Sequence, residues 1–90
     1  MKTVLGSIFH NKNGLNYEVL QVLGFNDRDK EYYKNSWQKY RVALLQVPFR
    51  KSYVVAEYLG EDSWGFGYYT EDIDKAIEKY NSIATNYFKV

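Results

Sequence analysis

His10 is the only histidine in ninety residues, and there is no cysteine. A nucleophile relay built on imidazole would have to run through His10, beside a stretch, "HNKNG", that reads as a turn. Thiolate chemistry and Cys/His metal sites are excluded outright. Carboxylates stand together at Glu61-Asp62 and at Asp72 and Asp74, as general acid–base work requires. Those places read as a turn and a helix start, where acids are ordinary. Gly65-x-Gly67 lacks the third glycine and the lysine of a phosphate-cradling loop. These residue types point away from an enzyme, with no cofactor and no metal expected. They point toward contact chemistry, because the chain carries ten tyrosines, five phenylalanines and two tryptophans.

Two kinds of contact fit. In the first, Tyr32, Tyr33, Trp37 and Phe49 anchor a protein partner, and Glu61 and Asp62 lie at the rim, where charge sets orientation and association rate. In the second, Trp37 stacks on a base while Lys39, Arg41, Arg50 and Lys51 meet phosphates. The charge layout leaves both open. Residues 34–51 hold five bases and no acid, and residues 57–74 hold six acids and no base, yet the net charge is only +1. A whole-surface mimic of DNA would be far more negative, so only a local acidic patch could meet a basic nuclease surface.

The elements that must position these residues follow from the pattern. Ninety residues suffice for one domain, 1–90, which buries roughly 60–65% of the surface its unfolded chain exposes. Residues 4–9 and 15–23 read as a hairpin around Asn13-Gly14, a pair suited to a two-residue type I′ turn. The apolar alternation slips between Val19 and Leu20, which predicts a bulge. Residues 24–36 read as an extended, charged connection with one helical turn around 29–33. Residues 37–47 form a long strand that Pro48 must stop, since proline cannot donate to a ladder. Strands at 53–59 and 64–69 follow.

In that last strand Trp64, Phe66 and Tyr68 would share one face. Gly65 and Gly67 would then leave a groove on the other for close approach of a helix. Ile73, Ala76, Ile77, Tyr80, Ala84, Tyr87 and Phe88 recur at helical spacing, so residues 71–88 predict an amphipathic helix with Thr70 as its N-cap and a Glu71–Lys75 pair. The expected fold is α+β: about five curved antiparallel strands with the C-terminal helix packed on the concave face. The alternative is a small SH3-like barrel with the helix as an appendage.

Two stretches, "NKNGLNYEVLQVL" and "YVVAEYLGEDSWGFGYYTEDIDKA", resemble small uncharacterised proteins encoded by phages and integrative elements of Gram-positive bacteria. Their pattern joins a Lys-Asn-Gly-x-x-Tyr hairpin to Tyr-Val-Val-Ala and Trp-Gly-x-Gly-x-Tyr strands and a short helix. Lys12, Asn13, Gly14 and Tyr17 match the first part; residues 53–56, Trp64, Gly65, Gly67 and Tyr69 match the second. The pattern carries a histidine and an aromatic where this chain has Tyr68 and Thr70, and residues 26–36 are an addition to it. The resemblance implies a mobile-element accessory protein that inhibits a host defence nuclease, such as a CRISPR effector, by protein contact. A small nucleic-acid-binding accessory protein is the alternative. The bacterial cytoplasm is the expected location: no secretory leader is read at the N-terminus and no stretch reads as a membrane span. The edge at residues 4–9 would allow a monomer or a homodimer.

Overall fold

The structure is a computed structural model that describes residues 6–88. Five strands, β1 (Ile8–His10), β2 (Asn16–Leu23), β3 (Tyr40–Gln46), β4 (Tyr53–Leu59) and β5 (Phe66–Thr70), form one antiparallel sheet in sequence order. Helix α1 (Asp27–Tyr33) joins β2 to β3, and α2 (Ile73–Phe88) follows β5. This is the α+β fold expected. Residues 4 and 5 of the first expected strand lie outside the described residues. So does part of the edge on which the homodimer was considered.

Two devices bend the sheet. In β2, Val19 pairs with Leu45 but Gln21 pairs with Leu44, so Leu20 is the extra residue of a bulge. In β4, Tyr58 takes φ +59°, a left-handed conformation rare for a non-glycine residue. The pleat loses its alternation there. Val54, Ala56 and Leu59 all join one buried cluster, although strict alternation would send Leu59 to the other face.

The sheet curls until its two ends meet. Trp64, in the β4–β5 turn, lies 5.8 Å from Phe9 of β1 and 5.4 Å from Tyr17 of β2, centroid to centroid. The Lys12 backbone N–H donates to the Asp62 carbonyl at 2.7 Å, tying the β1–β2 turn to the β4–β5 turn. The concave side is therefore filled by the sheet's own residues: Phe9, Tyr17, Val19, Ala43, Leu45, Val54, Ala56 and Leu59, with Trp64 as the plug. No room is left there for a helix, so α2 lies on the convex face, a correction to the expected placement. Val42, Leu44, Tyr53 and Val55 receive Ala76 and Tyr80, with Ile73, Ile83 and Ala84 at the margin. Ile77 of the expected stripe is exposed. β1 and β5 are not hydrogen-bonded to each other, so the sheet stays open, and α2 supplies core residues rather than hanging on as an appendage.

Local chemistry corrects several expectations. The β1–β2 loop is closed by Gly14 N–H to the Asn11 carbonyl, and only Gly14 (φ +94°) is left-handed, not Asn13. It is a three-residue loop of the type I plus glycine kind. The cap of α2 is Asp72, whose Oδ1 accepts from the backbone N–H of Asp74 (2.9 Å) and of Lys75 (3.4 Å). Thr70 ends β5 and accepts the Asp72 N–H, and Glu71 precedes the helix. The expected one-turn segment is a seven-residue helix started by Asn26, whose Oδ1 accepts from Asp29 N–H at 2.8 Å.

The glycines also act differently from expectation. Phe66 and Tyr68 pair with Glu57 and Val55 on the convex side, whereas Trp64 lies on the concave side. A side chain at Gly67 would strike the Tyr69 hydroxyl and the Trp64 indole nitrogen, and one at Gly65 would meet Tyr58. Neither glycine faces α2.

Candidate functional site: an aromatic surface around Arg41

The ladder sets the first contacts. The β3–β4 register places Val42 opposite Glu57 and Tyr40 opposite Leu59, which puts Arg41 across from Tyr58. Tyr58 is left-handed and its ring turns to the side of α2, where the Arg41 side chain also lies. There the Arg41 guanidinium lies 4.5 Å from the Tyr58 ring centre and 5.0 Å from that of Tyr87, near the C-terminus of α2. Its Nη1 donates to Glu57 Oε1 at 2.9 Å. The arginine side chain is only 16% exposed. Two ring faces and a carboxylate thus satisfy a largely enclosed cation.

Helix α1 is held to this centre by one phenol. The Tyr87 hydroxyl donates to Asp29 Oδ2 at 2.7 Å and accepts the Asn26 N–H at 3.1 Å. Burial, and then the bond to Asp29, hold the Tyr87 phenol above its ordinary pKa of 10.0. Rings continue outward from there. Phe25 stacks on Tyr33 at 4.1 Å, Tyr32 meets Tyr33 edge-on at 4.8 Å, and Tyr33 reaches Tyr58 at 6.0 Å. Tyr58 touches Phe66 at 6.5 Å, and Tyr87 touches Phe88 at 5.0 Å. Burial likewise raises the Tyr33 pKa.

The outer members of this chain of rings stay in water: Tyr32 is 81% exposed, Phe66 66% and Phe88 48%. Scattered exposed apolar residues are ordinary, but a connected set around an ordered arginine is not. Tyrosine and arginine are the types enriched where proteins bind proteins.

The structure distributes the sequence candidates over three places. Tyr32 and Tyr33 belong to the aromatic surface. Trp37 and Asp62 line a hollow of about 480 Å³ with Lys12, Ser63 and Trp64, and Glu61 lies in the same turn. There the Trp37 ring and carbonyl crowd Gly60 so closely that no side chain would fit. Phe49, Arg50 and Lys51 sit in the exposed β3–β4 turn. The phosphate-binding set is also divided. Lys39 precedes β3 and Arg50 and Lys51 follow it, about 20 Å of strand apart, while Arg41 is engaged by Glu57 and two tyrosines. These cations do not form one patch. His10 makes an exposed bond from Nδ1 to Asn16 Oδ1 at 2.7 Å. Among the described residues no cluster of three or more His, Asp or Glu is arranged to hold a metal ion.

Sequence reasoning did not assign Phe25, Asp29, Glu57, Tyr58, Tyr87 or Phe88 to a site. One signal was present: a tight turn at Pro48 fixes the hairpin register, and the register alone sets Arg41 opposite Tyr58.

Compared with protein-family models, with curated proteins and with solved structures, the chain matches none. Among the described residues no helix is long and apolar enough to cross a membrane.

Proposed function

We propose that this chain is a non-enzymatic binding protein that works through protein–protein contact. The observation that supports the reading is the connected aromatic surface around Arg41, with Tyr32 and Phe88 as its exposed anchors. Rings of this kind add contact area at low entropic cost, and a pre-ordered arginine loses little freedom on binding. The resemblance to phage and integrative-element proteins extends the reading to a mobile-element inhibitor of a host defence nuclease, such as a CRISPR effector, acting in the bacterial cytoplasm. The nucleic-acid alternative has less support, because its cations stand apart and Arg41 is engaged.

The test is expression in a bacterial host that carries an active defence nuclease, scored by plasmid uptake. The unaltered chain is expected to raise uptake, and a Tyr32→Ala/Phe88→Ala variant with an unchanged circular dichroism spectrum is expected not to. Salt-sensitive retention on single-stranded DNA at about 50 mM salt, lost on Lys39→Ala/Arg50→Ala/Lys51→Ala, would replace this reading with the nucleic-acid one.

A further inference from the structure

We propose that the hollow between α2 and β2 binds a small, neutral organic molecule that joins an apolar body to a hydrogen-bond acceptor, with the Tyr80 hydroxyl as the donor. The site is separate from the aromatic surface around Arg41 and does not depend on it.

Two features of the fold leave this space. Helix α2 packs against β3, β4 and β5. The bulge gives β2 an extra residue, Leu20, which lies on the same side of the sheet as the helix. Between them a hollow of about 320 Å³ remains. Sites for small molecules run from about 300 to 1,000 Å³, so a compact ligand fits. Leu20 and Leu44 line it from the sheet and Ile73 and Ile77 from the helix, while Gln21 and Asn81 add side-chain amides.

Tyr80 lines the same hollow and is 6% exposed, its ring part of the core with Val42, Leu44, Tyr53, Val55 and Ala76. A phenol buried to that degree usually finds a hydrogen-bond partner. The Tyr80 hydroxyl has none among the described residues, and burial is what pushes its pKa above 10.0. Nor is the oxygen sealed in, because no enclosed side-chain polar atom among the described residues lacks a partner. The little of Tyr80 that stays open therefore includes the hydroxyl, and the hollow is where it opens. Phenylalanine would fill the same core position without desolvating a hydroxyl, so the hydroxyl serves what enters the hollow.

The lining selects the ligand. Apart from the Tyr80 phenol, no lining residue carries an ionisable group, so a charged ligand would give up water and gain no counter-charge. Four aliphatic side chains suit an apolar body. The Tyr80 hydroxyl suits one acceptor, and the exposed amides of Gln21 and Asn81 suit a second polar group toward solvent. Another protein fits less well. Protein interfaces spread apolar contact over a surface, whereas here Leu44 and Tyr80 are buried and, of the large apolar lining residues, Ile77 alone is exposed.

The probes are acetanilide, a ring with a carbonyl acceptor; toluene, a ring without one; and two charged molecules of similar size, phenylacetate and phenethylammonium. Backbone amide chemical shifts read the result. Acetanilide is expected to shift Leu20, Gln21, Ile77 and Asn81 saturably, with a Kd of about 1 mM or tighter, and the charged probes to bind at least about tenfold more weakly. Tyr80→Phe should weaken acetanilide about tenfold and leave toluene unchanged, because it removes the donor and keeps the ring. Ile77→Trp, at an exposed position, should abolish binding of both by filling the hollow without altering the circular dichroism spectrum. Tyr32→Ala/Phe88→Ala should bind acetanilide as the unaltered chain does, so this site and the aromatic-surface reading stand or fall separately. No saturable shift at about 20 mM acetanilide overturns the proposal and leaves the hollow to water. Equal acetanilide affinity in Tyr80→Phe, or tighter binding of a charged probe, overturns it as well. So do shifts at the same amides that grow with protein concentration alone, with a dimer in sedimentation, which would make a second copy the occupant.

Discussion

Phe49 and Tyr58 are the two non-glycine residues with a left-handed backbone among those described, at φ +64° and +59°, and they are treated in opposite ways. At Tyr58 the unusual conformation does architectural work: it reverses the pleat, sends Leu59 into the concave core and turns the ring onto Arg41. Four aromatic or cationic neighbours hold the result in place. At Phe49 the conformation is demanded by a tight turn. Pro48 takes the second position, Arg50 N–H closes onto the Val47 carbonyl at 3.1 Å, and the third position requires positive φ, as in a type II turn. Glycine or asparagine is the usual choice there. Phenylalanine stands instead, and at 103% exposure its ring touches little of the protein. The difference separates strain that packing offsets from strain that no packing among the described residues offsets. The first belongs to the fold, and the second marks a side chain available for contacts outside it.

Substitutions sharpen that contrast. The largest expected effect is at Tyr58→Ala, which keeps the strained backbone and deletes the ring that spans Arg41, Tyr33 and Phe66. A loss of about 2–3 kcal/mol in urea denaturation is expected, whereas Phe49→Ala should change stability by less than about 0.5 kcal/mol. Equal losses at the two sites would break the comparison. Next is Tyr87→Phe, which removes the bonds to Asp29 and from Asn26 N–H. It should cost about 1–2 kcal/mol and speed amide exchange across α1 more than elsewhere.

The same phenol carries a pH dependence. Tyr17, Tyr33, Tyr80 and Tyr87 all have pKa values raised above 10.0, chiefly by burial, so the folded state holds those protons more tightly than the unfolded one. Their contribution is complete below pH 10 and is lost as pH rises through the folded values. Stability should fall on the alkaline side, and less steeply in Tyr87→Phe. Arg41→Lys is expected to cost about 1 kcal/mol, since an ammonium cannot lie flat between two rings and still reach Glu57. The smallest effect has the opposite sign. Phe49→Gly should raise stability by about 0.5–1 kcal/mol, because glycine accepts positive φ but loses more freedom on folding. A lower melting temperature for that variant would show that the exposed ring supports the fold after all.

Legibility followed how local each signal was. The bulge at Leu20, the end of β3 before Pro48 and the body of α2 could be read because alternation, a missing donor and a 3.6-residue period are written in neighbouring residues. Helix α1 is only partly legible in the sequence, because its seven residues bury none of their own and hold on through Phe25, Tyr33 and Tyr87, the last more than fifty positions away. Thr70 and Asp72 are both good caps, and only the end of β5 decides between them. Of the expected protein-binding anchors, Tyr32 and Tyr33 fall in one surface, while Trp37 and Phe49 lie elsewhere because the β3 strand separates them.

The chain by itself determined one domain's worth of strands, the turns that join them and an amphipathic helix at its end. Those follow from backbone preferences and from where apolar side chains repeat. It did not determine which side of the sheet the helix would cover. That depended on how far the sheet curls, and the curl arises from a bulge, a left-handed tyrosine and the meeting of Trp64 with Phe9 and Tyr17. Once the concave side had filled with the sheet's own side chains, the convex side was the one place left for α2. Arg41 was then enclosed by rings from two separate elements, β4 and α2, a grouping that only distance in space could make.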